Sequence, residues 1–214
     1  MLKRQRQLAR APEYGGFEVM AKFFGNLGGV IGASSVLLIL VIFAFHNGTA
    51  APVYLNALFR FLHVLFGIMW IGLLYYFNFV QIPTMPSVPP ELKPGVSKYI
   101  APAALFWFRW AALATVAMGL IVAAHPPNQY LGQALSFQAG YRLIGLGMWL
   151  GLIMAFNVWF VIWPNQKKAL GLVEADADTK AKAATTAMMF SRTNTLLSMP
   201  MLYCMVTQGI LGGS

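Results

Sequence analysis

The sequence predicts an all-α fold: a polytopic membrane helical bundle of about five transmembrane helices, with the N-terminus cytoplasmic and the C-terminus periplasmic. Three observations predict it. First, hydrophobic residues make up 58% of the 214 residues and charged residues only 10%, with mean hydropathy +0.64. A soluble domain spends about 25% of its residues on charge, so this chain could not clothe a globular surface. Second, five apolar stretches approach the roughly 20 residues that a helix needs to cross the hydrocarbon core. Third, the basic residues alternate from loop to loop. The net charge of +9 therefore orients the chain in a membrane and does not mark a nucleic-acid partner. The lone cysteine, Cys204, excludes an internal disulfide framework and an all-cysteine metal site.

Residues 1–26 form a basic leader, with Phe17, Met20, Phe23 and Phe24 marking a short interfacial helix. Residues 27–214 form the bundle, with spans expected at about 30–45, 58–80, 103–124, 143–163 and 187–211. Breaks of Pro, Gly and Asn separate them at His46–Asn47–Gly48, Pro83–Pro94 and His125–Asn128, followed by the charged loop Asn165–Lys182. The polar leader is longer than a signal-peptide n-region, so the first span reads as an uncleaved anchor. Lys3, Arg4, Arg6, Arg10, Lys22, Lys93, Lys98, Lys167, Lys168, Lys180 and Lys182 fall on one side, and the alternate loops carry no Lys or Arg. That side is cytoplasmic by the positive-inside rule.

Four further arginines, Arg60, Arg109, Arg142 and Arg192, lie in or at the edges of spans, while all six acids lie in cytoplasmic segments. A charge at the bilayer centre costs at least about 2.5–3.5 kcal/mol. Each arginine either snorkels to a headgroup or holds an anion, for which its planar fork is suited. On the second span Arg60, His63, Gly67, Ile71, Leu74, Asn78 and Gln81 follow steps of three and four, which makes one stripe pointing into the bundle. On the fourth span Gly147 and Gly151 offer a close-packing face beside Asn157. The fifth places Asn194, Ser198, Met205 and Gln208 on one side, with Pro200 expected to kink it. Gly25-x-x-x-Gly29 and Gly28-x-x-x-Gly32 also read as packing faces. His46, His63 and His125 all fall in the outer half, which raises haem b or a metal as an alternative. No carboxylate or thiolate accompanies them, and the cofactor stays open.

Three segments carry a family pattern. They are His63-x-x-x-Gly67-Ile68-x-Trp70-Ile71-Gly72, Phe156-Asn157-Val158-Trp159 through Trp163-Pro164-Asn165-Gln166-Lys167, and Arg192-x-Asn194-Thr195 through Ser198-x-Pro200. Together they resemble the bacterial membrane-bound urate oxidase (urate hydroxylase) N-terminal domain family. The resemblance implies a polytopic domain that oxidises urate and passes electrons to a periplasmic cytochrome c. It places His63, Trp70, Asn157, Trp163, Asn165, Arg192 and Asn194 on the family's motif positions. Longer members carry an acid soon after the first motif, where this chain reads Tyr75 to Gln81, and a histidine after the last, where it has Gln208. A Cys-x-x-Cys-His haem-attachment motif is absent, as in a short form without the cytochrome.

Three functional classes follow. A membrane oxidoreductase would hold a flat purine anion with Arg60 and Arg142, or Arg109 and Arg192, beside Asn157, Asn194 and Trp70. His63 would transfer the proton, because its unperturbed pKa is near neutral. A non-catalytic subunit of an energy-transducing complex would dock through small-residue faces on a partner or a second copy. A transporter or haem-binding carrier is the third. In each the lipid bilayer is a partner and nucleic acid is not.

Overall fold

The computed structural model describes residues 15–211, and every regular element among them is helical. The chain divides into two compact units, Met1–Ala50 and Ala51–Ser214. In the first, α1 (Gly15–Gly25) and α2 (Leu27–His46) are separated by Asn26, whose extended backbone and side-chain oxygen, accepting from Gly29 N at 3.2 Å, cap α2. The short helix expected at the end of the leader is α1. No residue of α2 is buried. Leader residues Lys3, Arg4, Arg6 and Arg10 lie outside the described residues.

The second unit holds α3 (Ala51–Ser87), α4 (Lys93–Ala124), the short α5 (Leu131–Leu135), α6 (Arg142–Ala169) and α7 (Ala177–Leu211). The long helices are neighbours in the cyclic order α3–α4–α6–α7, each antiparallel to the next. On α3 and α4, Asn56 meets Val122, His63 meets Thr115, and Phe77 meets Phe108. Trp159 of α6 reaches Arg109 of α4, Asn157 meets Asn194 of α7, and Tyr75 of α3 meets Ser198 of α7. Short loops between antiparallel helices are the expected solution for a bundle of this length. Trp70, Leu74, Phe108, Met154, Val158 and Ile162 fill the core, near the middle of the long helices. The expected stripe on α3 packs inward from His63 to Asn78, while Arg60 at its N-terminal end is exposed.

Four helices are long and apolar enough to cross a membrane: Leu27–His46, Ala51–Ser87, Lys93–Ala124 and Arg142–Ala169. The fifth expected span, 187–211, lies within α7 but falls short of that apolarity. Ser191, Arg192, Thr193, Asn194, Thr195 and Ser198 crowd its middle, and the helix runs on through Pro200. Each of the other spans is also longer than its hydropathy suggested, because the helices continue past the apolar run into polar ends.

Gly147 acts as the sequence predicts, by letting α7 approach: a Cβ there would stand 2.9 Å from Cys204 Cβ. Gly119, which the sequence reading did not single out, makes room for a side chain, since a Cβ there would stand 2.8 Å from the His63 ring. Gly151, by contrast, has open space where its Cβ would be. Gly145 admits α5, since a Cβ there would run into the Ala134 carbonyl.

Candidate functional site

Two π-turns, Tyr76–Gln81 in α3 and Asn157–Ile162 in α6, place asparagines at the bundle centre. Such insertions locally widen a helix and are frequent at functional sites. Both turn toward the buried face of α7, where Ser191, Asn194 and Ser198 recur at steps of three and four. Asn78 donates to Ser191 Oγ at 2.8 Å and to its own Leu74 carbonyl at 2.9 Å. Asn157 donates to Asn194 Oδ1 at 2.9 Å, and Asn194 donates onward to the Met154 carbonyl at 2.9 Å. Ser198 Oγ donates to the Thr195 carbonyl at 2.7 Å and so accepts from the Tyr75 hydroxyl at 2.9 Å. The polar groups that apolar surroundings would penalise are thus spent on one another. The buried atoms left over are Trp70 Nε1, Asn78 Oδ1, Gln81 Oε1 and Arg109 Nη1.

The arginines separate. Arg109 is half-buried, with its guanidinium 3.6 Å above the Trp163 ring and its carbonyl accepting from Trp159 Nε1 at 3.1 Å. Arg192 lies on the exposed side of α7. Arg142 is exposed and donates through Nε to Phe137 O at 3.4 Å. Arg60 is exposed at a cleft described below.

His63 holds the carbonyl of Thr115 through Nδ1 at 2.7 Å, a bond that leaves Nε2 as the free ring nitrogen. Thr115 in turn donates its hydroxyl to Ala111 O at 2.7 Å. His125 holds Pro126 O through Nδ1 at 2.7 Å and packs against Phe59. His63 lies against Gly119, and His125 follows six residues later, an axial offset of about 9 Å at 1.5 Å per residue. These two histidines therefore do not face one another across a single plane, as a bis-histidine haem requires. His46 ends α2, in the other unit. Among the described residues no three His, Cys, Asp or Glu side chains gather as a metal site.

At the end of the bundle where α3 begins, Val53, Asn56, Ala57, Arg60, Phe61 and Val64 of α3 face Pro127 and Asn128 across an open cleft of about 510 Å³. Buried Asn56 builds the far wall. It donates to Val122 O at 3.1 Å and His125 O at 3.2 Å, and accepts from Asn128 Nδ2 at 3.1 Å. His63 is one turn deeper and does not line the cleft. Tyr130 stacks on Tyr141 with ring centroids 5.9 Å apart. Burial pushes the Tyr130 phenol up from its ordinary value, and the charge of Arg60 pulls against that rise. Asn56, Asn128 and Tyr130 were missed by sequence reasoning. Asn56 lies one turn before Arg60 on the same face, so extending the stripe backward would have found it.

Gln208 caps α6. Its Oε1 accepts from Ile144 N at 2.8 Å and its Nε2 donates to Gly140 O at 3.1 Å.

No curated protein and no solved structure matches the chain. Residues 117–210 match the family model described as "Urate oxidase N-terminal". The matched region takes in α5, α6 and nearly all of α7, and stops short of Arg60, His63 and Trp70. The match is consistent with the urate oxidase N-terminal family, the family that the chain's own motifs resemble.

Proposed function

We propose that the chain is a bacterial inner-membrane domain of the urate-oxidising kind. It takes an anionic purine from the non-cytoplasmic side and passes electrons to a separate periplasmic cytochrome c. The family match over 117–210 carries the reading, joined to the Asn157–Asn194 junction at which two of the family-like segments meet. The loop charges orient the bundle. The exposure pattern of α7 supports its crossing as well: Leu196 and Ile210 are 75% and 83% exposed, whereas Asn194 and Ser198 are 0%. Apolar side chains outward and small polar ones inward is how a helix packs in lipid.

In this reading Arg60 and Arg142 present cationic groups at the outer end, and Arg109 and Arg192 do so deeper. Asn157 and Asn194 hold α6 to α7, and Trp70 closes the core beside them. Hydroxylation of the purine by water releases two electrons and two protons. The electrons reduce two cytochrome haems, and the protons leave through His63, whose Nε2 is free while Nδ1 is tied to Thr115. The test is urate consumption by membranes containing the chain, supplied with oxidised cytochrome c. Consumption that stops in His63→Ala is expected.

A non-catalytic subunit is the second reading. It is favoured by α2, a helix of mean hydropathy 2.5 with no buried residue, available to a membrane partner or a second copy. Membranes that consume no urate with any acceptor, while the purified protein co-isolates with a redox complex, would decide for it.

A further inference from the structure

Arg109 is a charge without a countercharge, set in the seam between α4 and α6. Its carbonyl accepts from Trp159 Nε1 at 3.1 Å, so the residue stands where the two helices meet. Its side chain leans toward the N-terminal end of α4, as long helical side chains do, and reaches Trp163, one turn beyond Trp159 on α6. The guanidinium carbon lies 3.6 Å from the centroid of the Trp163 ring and 5.7 Å from that of Phe106. Rings take the face of a guanidinium and leave its in-plane donors for an anion. Here Nη1 is buried and has no hydrogen-bond partner. No acid is at hand along the seam: α3, α4 and α6 contain no Asp or Glu, and α7 has only Asp178, in its first turn.

Depth, charge and shape then select the ligand. Lys167 follows Trp163 by one turn and holds its Nζ 5.7 Å from the same ring. Trp with Lys marks the level of phospholipid headgroups, so the Arg109 side chain ends at that level. Two cations against one indole repel each other, and a phosphate between helix and headgroup relieves that repulsion. The choline of a zwitterionic lipid would bring a third cation, which favours a lipid of net negative charge. On α4, Phe106, Trp110 and Leu113 follow at steps of four and three, all exposed, and run past Arg109 toward the middle of the bilayer. That stripe is a track for acyl chains below a headgroup, for which a soluble anion has no use.

We infer that Arg109, backed by Lys167, binds the phosphate of an anionic phospholipid in the leaflet at the lysine-rich end, with the acyl chains along Phe106, Trp110 and Leu113. The lipid clasps α4 to α6. On this assignment Arg109 serves the lipid, and the cations left for a purine in the oxidase reading are Arg60 and Arg142. The inference needs only that the bundle lies in a bilayer and holds whether or not the chain oxidises urate. Free phosphate offers the same charge without the chains, so the experiment separates the two sources.

The test is native mass spectrometry of the full chain in detergent, titrated with phosphatidylglycerol, phosphatidylcholine and inorganic phosphate, with the unfolding temperature read for each. The wild type should retain phosphatidylglycerol in preference to phosphatidylcholine. Phosphatidylglycerol should raise the unfolding temperature, and inorganic phosphate should not. Arg109→Gln should weaken phosphatidylglycerol roughly 10–150-fold, the range expected for a lost charge-assisted contact. Arg109→Lys keeps the charge without the fork and should fall between. Lys182→Gln removes an exposed charge at the same end and should leave retention within twofold of the wild type. If Arg109→Gln does not fold, the three probes on the wild type and the Lys variant carry the comparison. Four outcomes overturn the inference: equal retention of the two lipids by the wild type, Arg109→Gln within twofold of it, Lys182→Gln as damaging as Arg109→Gln, or inorganic phosphate displacing the lipid and stabilising the chain as well.

Discussion

Asn194 joins two helices with one side chain, accepting from Asn157 and donating to Met154 O. Replacing it with Ala orphans a buried donor on Asn157, while Met154 O keeps its bond from the Asn157 backbone N–H, and an orphaned buried group costs about 1–3 kcal/mol. Asn194→Ala should therefore lower bundle stability by about that amount in detergent unfolding. The double variant Asn157→Leu with Asn194→Leu should recover much of the loss, because neither partner is then left unpaired. Equal losses in the single and double variants would mean the junction is not a coupled pair. Gly119 makes a steric prediction. Gly119→Ala puts a methyl against the His63 ring, and overpacking typically costs about 1–3 kcal/mol. Gly67→Ala meets only Thr115 Cγ2 at 3.7 Å and should be tolerated. If His63 moves protons, Gly119→Ala should also slow urate consumption more than Gly67→Ala does.

At the level of elements, α7 begins with a cap that titrates. Asp176 accepts from the Thr179 amide at 2.7 Å and from its hydroxyl at 2.8 Å, which hold its carboxyl below the ordinary 3.8. A carboxylate with a lowered folded-state pKa stabilises above its unfolded value and loses that contribution as pH falls through the folded one. Hydrogen exchange at the Thr179 amide should therefore quicken, beyond its intrinsic pH dependence, only below about pH 4. Asp176→Asn should remove most of that excess. An Asn variant with the same excess would assign it elsewhere.

The stripe on α3 from His63 to Asn78 was legible because a period of three and four is a property of sequence alone. The central junction was legible only in its members. Asn78, Asn157, Asn194 and Ser198 stand out as polar residues in apolar runs, but which of them meet depends on helix register and on two π-turns that no local pattern announces. The five-span count includes α7, whose average hydropathy falls short of the other four because it carries its polarity on the buried side while its exposed face is apolar. Arg109 and Arg192 looked like a pair by depth, yet Arg109 stacks on Trp163 and Arg192 faces outward, a matter of helix rotation.

For the whole molecule, orientation decides which side the Arg60 cleft opens on. A site fed from outside and coupled to a periplasmic cytochrome must lie at the non-cytoplasmic end, where the loops carry no Lys or Arg. Gly132 lies exposed at that end, and Ala177 lies exposed at the lysine-rich end. Cys204 is buried and gives little background. The most direct measurement is labelling of Gly132→Cys and Ala177→Cys in intact cells with a membrane-impermeant maleimide. The account predicts that Gly132→Cys is labelled from outside, whereas Ala177→Cys reacts only after the membrane is opened. Labelling of both in intact cells, or of Ala177→Cys alone, would contradict it.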